Sequence, residues 1–207
     1  MEAEFRCRTW YLAARDAGGS LRGVLPLVGL KSLLFGHYLV SVPWFNYGGV
    51  LAADAAADEA LMTAAGELAT RLGVSHVELR ETRPREGWPA RTDKVAMVLD
   101  LAPTADEQWS ALGSKLRAQV RRPEREGAVT TFGGSELVPS FYRVFTRNMR
   151  DLGTPVYARS LFERVLAAPG AGAEIALVTL EGQPVAAGLV LHHGEVTEIP
   201  WASSLRE

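Results

Sequence analysis

Five basic side chains fall within a short stretch near the middle of the chain: Lys115, Arg117, Arg121, Arg122 and Arg125. On a helix, the i, i+4, i+8 spacing of Arg117, Arg121 and Arg125 places them on one face. Like charges at that spacing repel, and a polyanion such as a pyrophosphate or an acidic glycan would relieve the repulsion. The stretch is therefore a candidate anion site. The alternative is a solvated face with Arg122–Glu126 and Arg121–Glu124 pairs.

Other catalytic chemistries find little support in the residues. His192 and His193 are adjacent, so on a strand they point to opposite faces. With Gly194 they are typical of a hairpin tip. His37 and His76 are isolated, there is one cysteine, and no Gly-x-Ser-x-Gly elbow occurs. We therefore expect no metal site and no nucleophile of the serine-hydrolase type.

Composition narrows the class of protein. The chain has 207 residues, 47% of them hydrophobic, and a formal net charge of −2. These values are ordinary for a globular protein and exclude a polycation that binds nucleic acid through its overall charge, so no DNA partner is expected. No apolar run is long enough to span a membrane, and the acidic N-terminus is unlike a signal peptide. The single cysteine fits a reducing compartment, so a cytoplasmic location is predicted.

Hydrophobic periodicity predicts a first unit of strands and one helix. A hairpin over 11–15 and 23–30 is followed by a strand over 38–42. Leu61, Ala65, Leu68 and Leu72 then mark one face of a helix that ends at Gly73. Strands are predicted over 74–80 and 95–101, with a polar loop between them.

A second unit is predicted to begin near residue 103. Thr104 and Glu107 form a capping box, and Pro123 is expected to end or kink the helix that follows, which Gly127 closes. The apolar stripe of this helix is Trp109, Leu112, Leu116 and Val120. A strand over 128–132, helices over 138–149 and 161–166, and a meander over 175–180, 185–191 and 196–201 complete the unit.

A short internal repeat relates the two units. Residues 12–25 parallel residues 177–189, and each meander ends in a Pro-Trp pair, Pro43-Trp44 and Pro200-Trp201. The repeat predicts two partial tandem domains. Residues 1–102 are the first, expected to lack its N-terminal part, and residues 103–207 are the second, expected to lack its C-terminal part.

Several motifs carry a family resemblance that spans nearly the whole chain. The order of strands and helices resembles the GNAT acyltransferase fold, and two such domains in tandem resemble FemAB-like transferases, in particular those associated with PEP-CTERM/exosortase systems. The motifs are 23–28 with 31–36, Tyr47-Gly48-Gly49, 115–127, 148–157 and 198–204. The resemblance implies an α/β fold with a mixed sheet and an N-acyltransferase. That enzyme would move an acyl or aminoacyl group to an amine on a cell-envelope or exopolysaccharide precursor.

The resemblance also implies the residues of the site. Anion or substrate binding is assigned to Lys115, Arg117, Arg121, Arg122, Asn148 and Arg150. A groove is assigned to Trp44, Tyr47, Trp201 and Ser203. Glu195 and Glu198 are the candidate catalytic bases near the second meander, and Glu198 is preferred because in GNAT folds its strand splays toward the donor. The alternatives are a solvent-facing carboxylate at Glu198, an Arg150 neutralised by the adjacent Asp151, and buried Pro-Trp packing for the tryptophans.

Donor and partners follow from the same resemblance. Acyl-CoA is the expected donor, with aminoacyl-tRNA ranked below it because no long heptad arm is present. An anionic small molecule or envelope precursor is the expected substrate, with peripheral contact at a membrane-bound precursor. The nearest match to the GNAT pyrophosphate-loop signature, residues 15–20, is expected to be a hairpin turn instead. A non-catalytic binding or scaffold module of the same fold, serving polysaccharide or PEP-CTERM assembly, is therefore the alternative function.

Overall fold

A computed structural model describes residues 5–34, 36–93, 95–170 and 172–206. Its contacts divide the chain into two compact units, residues 1–97 and residues 98–207. Each unit combines a β-sheet with one or more helices, which confirms the predicted α/β class. The assignment of 1–102 and 103–207 as two partial domains of one family stays a prediction.

The first unit is a mostly antiparallel sheet with one helix. Its elements are β1 (Thr9–Arg15), β2 (Leu21–Ser32), β3 (Gly36–Val40), β4 (Leu51–Ala52), α1 (Ala55–Leu72) and β5 (Val77–Glu78). The strand order is β1-β2-β3-β5, and β4 pairs with β2. Only the β3–β5 pair is parallel among these. A parallel pair needs a long crossover, and α1 lies in that connection.

Helix α1 holds the core of the first unit. It begins at Asp54, whose side chain accepts the Ala57 N–H at 2.8 Å, and ends at Gly73, which has a φ of 61°. That φ lies in the left-handed region, where glycine carries no Cβ penalty. The predicted stripe is confirmed, because Leu61, Ala65 and Leu68 are buried against the leucines Leu25, Leu27 and Leu39.

The second unit is a four-stranded antiparallel sheet preceded and crossed by helices. Its elements are α2 (Ala105–Ala111), α3 (Ser114–Arg125), β6 (Val129–Gly133), α4 (Val138–Asp151), α5 (Arg159–Leu166), β7 (Gly172–Leu180), β8 (Gln183–His193) and β9 (Val196–Ser204). The strand order is β6-β7-β8-β9. Helix α4 packs on β7, β8 and β9, and α5 packs on β7 and α4.

Aromatic rings fill the space between the helices and the sheet in this unit. Phe162 lies 4.9 Å from Phe141, 5.1 Å from Phe145 and 5.3 Å from Trp201, ring centre to ring centre, in edge-on arrangements. Such arrangements are the favourable ones for aromatic pairs, and each large buried side chain contributes about 1.5–3 kcal/mol of transfer free energy. The helix-covered face of the sheet is therefore its core face.

A bulge in β9 changes which residues of this strand share a face. Leu189 pairs with Trp201 and Leu191 pairs with Glu198, so Val190 stands opposite both Ile199 and Pro200. Proline has no N–H to give to the ladder, and bulges are one of the places where a strand tolerates it. Because paired residues share a face, the bulge puts Glu198 on the helix-covered face with Trp201. Plain alternation would have placed them on opposite faces.

One predicted strand is much shorter than expected, and another is absent from the described residues. The interval 74–80 contains only the two residues of β5. The interval 95–101 contains no strand, and its apolar side chains are exposed: Val95, Met97, Val98, Leu99 and Leu101. Its residues have the β propensity that the prediction used, but a strand needs a hydrogen-bonded neighbour, and none is present in the described part of the chain.

The single helix predicted after Thr104 is two helices. Thr104 caps α2 as predicted, accepting the Glu107 N–H at 3.2 Å, but the chain turns at Leu112 and Gly113 before α3 begins. Pro123 does not end α3, which continues through it to Arg125. The carbonyl that loses its partner is that of exposed Gln119, which water can hydrate. Gly127 closes the helix as predicted, with a φ of 90°.

Candidate functional site

Two arginines of the basic helix α3 contact helix α2 and the turn that joins the two helices. The Arg117 guanidinium donates to the carbonyl oxygens of Leu112 and Ser110, and so ties the turn between α2 and α3. Arg121 lies over the Trp109 ring of α2, 4.9 Å from its centre, in a cation–π contact. The pair of Arg121 with Glu124 considered from the sequence does not form. Both arginines therefore help to hold α3 against α2.

The remaining basic groups of α3 face outward. Arg122 donates to Glu126 at 2.8 Å, as the solvated alternative predicted, and this partner raises the pKa of Arg122. Lys115 and Arg125 are exposed and make no ion pair with any residue that the structure describes. Because Pro123 does not interrupt α3, Arg117, Arg121 and Arg125 do lie on one helix at the predicted spacing.

Arg150 at the end of α4 is neutralised locally. Its guanidinium lies 3.3 Å from Asp151, and Arg147 reaches the same carboxylate at 3.6 Å. The side chain of Arg150 is 70% exposed. Exposed pairs of this kind contribute about 0–1 kcal/mol, so Arg150 stays able to exchange Asp151 for an anion in solution.

Asn148 and Ser203, two of the sequence-predicted residues, meet in the fold. Asn148 on α4 donates its side-chain N–H to the Ser203 hydroxyl on β9 at 3.1 Å. Ser203 is buried, with 8% of its surface exposed, and faces the helices beside Trp201. They are 55 residues apart, so only the packing of α4 on β9 could bring them together.

A cavity of about 450 Å³ lies against β7, β8 and β9 and includes both of these residues in its lining. Most of the lining comes from the face opposite the helices, including Ala176, Gly188, Val190, Ile199 and Ala202. The floor is made of small side chains, and the cavity is open. Its volume falls in the range of small-molecule sites, and its lining is mainly apolar with a few hydroxyl and amide groups.

Glu198 and Trp201 lie on the other face of the same strand. Trp201 is 6% exposed and packs on Phe162 and Tyr157, which is the buried Pro-Trp packing considered as its alternative. Glu198 is half-buried and shares that face because of the bulge. Neither residue lines the cavity described above.

The first-unit residues Trp44 and Tyr47 belong to a tightly folded turn. Trp44 has a φ of 72° and stacks on Phe5 at 3.9 Å, and Tyr47 is 39% exposed. The two glycines after Tyr47 lie close to neighbouring side chains. A Cβ on Gly48 would stand 2.5 Å from that of Val42, and one on Gly49 would overlap Glu81. The Tyr47-Gly48-Gly49 motif is therefore explained by close packing in this unit.

Residues 15–20 form a hairpin turn, as the sequence predicted. Asp16 accepts the Ser20 N–H at 2.9 Å, and Arg15 donates to the Gly19 carbonyl at 2.8 Å. Gly19 has a φ of 83°. These bonds are the internal bonds of a β-turn, and within these described residues no helix begins that would orient N–H groups toward a phosphate.

One side-chain cluster, around His192, has no signal in the sequence. The Nε2 atom of His192 lies 2.9 Å from Glu174 Oε1, and its Nδ1 atom lies 3.0 Å from Thr197 Oγ1. The residues come from β7, β8 and β9, so only the strand register reveals the cluster. The separation of 18 residues between Glu174 and His192 gives no sequence signal. His192 and His193 do point to opposite faces at a hairpin tip, as predicted.

Among the described residues, no group of three or more His, Cys, Asp or Glu side chains is placed to hold a metal ion. Within the same residues, no helix combines the length and apolarity needed to cross a bilayer.

Comparison with known proteins identifies one domain. Residues 112–207 match the family model described as an acetyltransferase (GNAT) domain. Comparison with curated proteins gives no match. The family match begins in the turn before the basic helix α3 and extends through β9, so it includes the cavity and the Asn148–Ser203 pair. The predicted GNAT-like fold is confirmed for this part of the chain, which is similar to the acetyltransferase (GNAT) domain.

Proposed function

We propose that this protein is an N-acyltransferase of the FemAB-like type. It would move an acyl or aminoacyl group from acyl-CoA to an amine on an anionic cell-envelope or exopolysaccharide precursor. The observation that carries the proposal is the family match, which spans both the basic helix α3 and the cavity against β7–β9. The FemAB-like assignment adds the motifs at 148–157 and 198–204, whose members Asn148 and Ser203 are hydrogen-bonded.

Acyl transfer to an amine asks three things of a protein. It must hold the donor carbonyl next to the amine, accept a proton, and stabilise the charge on the carbonyl oxygen. The cavity supplies the space, and its small floor residues Ala176, Gly188 and Ala202 let a flat or extended group approach the sheet. Asn148 offers the side-chain N–H groups that could orient a carbonyl there.

The anionic part of the substrate would be bound by α3. Lys115 and Arg125 are exposed, and Arg117 and Arg121 add positive charge while they hold α2. Attraction of this kind is screened by salt, because these groups are on the surface. We therefore expect the substrate affinity to fall as ionic strength rises.

The first experiment measures donor binding. The thermal midpoint of the protein is recorded with and without acetyl-CoA, because a ligand that binds only the native state must raise it. At a hundredfold excess over Kd the gain is about 2.7 kcal/mol of unfolding free energy. Transfer to glucosamine 6-phosphate, an amine that carries an anionic group, is then followed by release of the free thiol of CoA.

Matched variants separate the anion site from the fold. Lys115→Gln combined with Arg125→Gln should raise the KM for glucosamine 6-phosphate and reduce its salt dependence, while the thermal midpoint stays the same. Arg91→Gln is the control, because Arg91 is an exposed, ion-paired arginine of the first unit that is not assigned to the anion site. Donor binding without transfer to any amine would favour the non-catalytic module. Binding of aminoacyl-tRNA with a steep salt slope would favour the tRNA-dependent donor. A protein that does not bind acetyl-CoA contradicts the proposal.

A further inference from the structure

We propose that Thr197, His192 and Glu174, here called the His192 relay, accept the proton that the amine loses during acyl transfer. The inference rests on the proposed N-acyltransferase function and assigns the proton acceptor that this function requires. The three side chains come from three adjacent strands and form one continuous chain of hydrogen bonds.

The relay lies on the cavity side of the sheet. Each of the three relay residues lies two positions along its own strand from a residue that lines the cavity. The pairs are Glu174 and Ala176, His192 and Val190, and Thr197 and Ile199. Residues two apart on a strand share a face and are about 7 Å apart. The relay is therefore at the border of the cavity, whereas Glu198 is on the opposite face.

The contacts of the His192 imidazole determine which of its two nitrogens carries the hydrogen. The Glu174 carboxylate can only accept, so Nε2 carries the hydrogen in the neutral ring, and Nδ1 is left to accept from the Thr197 hydroxyl. This is the arrangement of a base oriented by a third group, with a hydroxyl at its other nitrogen. Glu174 is the charged group that faces the ring from β7, and Thr197 is the polar group that faces it from β9.

The step balances without a further reagent. The amine nitrogen attacks the thioester carbonyl, the C–N bond forms, and the C–S bond breaks to release the thiolate. The amine proton passes to Thr197 Oγ1 as the hydroxyl proton passes to Nδ1 of His192. The imidazolium, stabilised by Glu174, then returns that proton to the thiolate. Thr197 is the catalytic residue that touches the amine, and Glu174 is a positioning residue.

The partial exposure of the cluster fits this role. The side chains of His192 and Glu174 are 44% and 37% exposed, so solvent and substrate can reach them. The hydrogen bonds of the cluster require the neutral ring to carry its hydrogen on Nε2. Its hydrogen-bond direction is therefore what an experiment can test first.

The first arm of the test is NMR of the protein without ligand. Long-range nitrogen–proton correlation of His192 should show hydrogen on Nε2, and Glu174→Ala should turn this into a mixture of tautomers. Hydrogen on Nδ1 in the wild-type protein would overturn the relay, whatever the protein catalyses.

The second arm measures transfer from acetyl-CoA to glucosamine 6-phosphate. Thr197→Val and His192→Gln should lower kcat by about 100-fold or more, the usual size of a general-base contribution, with KM within about twofold of wild type. Thr197→Ser should keep the activity because it keeps the hydroxyl. His193→Gln is the matched control, since His193 points to the other face.

The two proposals fail in different ways. Wild-type kcat in Thr197→Val overturns the relay and leaves the acyltransferase in place. Failure of the wild-type protein to bind acetyl-CoA contradicts the proposed function, and the relay is then rejected as its proton acceptor.

Discussion

At the scale of single residues, Gly49 shows how little space the first unit leaves beside its Tyr47-Gly48-Gly49 turn. The position of its missing Cβ is filled by the Glu81 side chain, which is itself held by Arg85 and by the Val50 N–H at 3.0 Å. Glu81 cannot move aside without losing these bonds. The glycine is required by close approach, and a positive φ plays no part in it.

We expect Gly49→Ala to lower the free energy of unfolding by about 1–3 kcal/mol, the usual cost of overpacking. Gly66→Ala is the matched control in the same unit, because nothing lies within 4 Å of its missing Cβ in the middle of α1. There alanine should stabilise by about 0.5–1 kcal/mol. Urea unfolding of the two variants checks both signs. Equal effects would contradict the close-packing argument.

Arg85 joins three parts of the first unit through one guanidinium. It donates to both oxygens of Asp58 at 2.6 and 2.8 Å and to Glu81 at 2.6 and 2.8 Å. Asp58 is on the first turn of α1, and Glu81 holds the turn at Val50. The hydrogen bond from Arg85 lowers the pKa of Asp58, and the two carboxylates raise the pKa of Arg85.

This ion pair predicts how stability depends on pH. A carboxylate whose pKa is lowered in the folded state adds stability above its unfolded pKa, about 3.9 for Asp, and loses it as the pH falls through the folded value. The thermal midpoint of the wild-type protein should therefore drop from about pH 4 downward. Arg85→Gln should show a shallower drop. Arg91→Gln, which removes an exposed pair with Asp93, should keep the wild-type slope. A parallel slope in Arg85→Gln would contradict the role of Arg85.

At the scale of elements, the N-terminus of α1 depends on one side chain. Asp54 accepts the Ala57 N–H at 2.8 Å and pairs with Arg22 of β2 at 2.7 Å. These contacts, the Arg22 hydrogen bond first, lower the pKa of Asp54. The side chain caps the helix and also connects it to the sheet that it packs on.

Two substitutions at this position separate the cap from the ion pair. Asp54→Ala should cost about 1 kcal/mol of unfolding free energy, since it removes the cap. Asp54→Asn keeps a capping oxygen and loses only an exposed ion pair, so we expect it to cost less than half as much. The measurement is chemical denaturation near neutral pH. Equal losses would mean that the Arg22 pair, and not the cap, stabilises the start of α1.

Periodicity predicted accurately the elements that bury one face and less accurately those that do not. Helix α1 and strands β7–β9 were predictable because apolar residues recur in them at a fixed spacing. Members of these series, such as Leu61 in α1 and Leu189 in β8, are buried. Helix α3 carries the same kind of stripe, yet Leu116 and Val120 are 46% and 43% exposed. A stripe reports that a face is apolar and does not report what covers it. The break at Gly113 and the tolerance of Pro123 follow from that weak packing.

The candidate site, too, was predictable from the sequence only in part. The sequence placed Asn148 and Ser203 among the functional residues, and the fold brings them within 3.1 Å. It did not find the contact of His192 with Glu174 and Thr197, because that contact depends on the register of three strands. The bulge at Pro200, which turns Glu198 to the other face from this cluster, is likewise a property of pairing. Local sequence carries residue types, whereas register decides which of them meet.

At the scale of the whole molecule, the chain on both sides of the boundary between the two compact units has little regular structure. Among the described residues from Leu79 to Thr104, no helix or strand is formed. Five apolar side chains in 95–101 are 67–90% exposed. Few buried contacts and exposed backbone are the features of segments that open most easily.

Thermolysin, which cleaves beside apolar residues, should therefore make its first cut within 95–101. Leu33 and Leu34 are also highly exposed, but they lie in a short turn between the paired strands β2 and β3, and such pairing resists the local unfolding that a protease needs. Mass spectrometry of the first fragments checks the site. Val98→Glu combined with Leu99→Glu should slow this cleavage and leave the thermal midpoint unchanged, because neither side chain is buried. A first cut within α4 or β8 would mean that the second unit opens before the segment that precedes it.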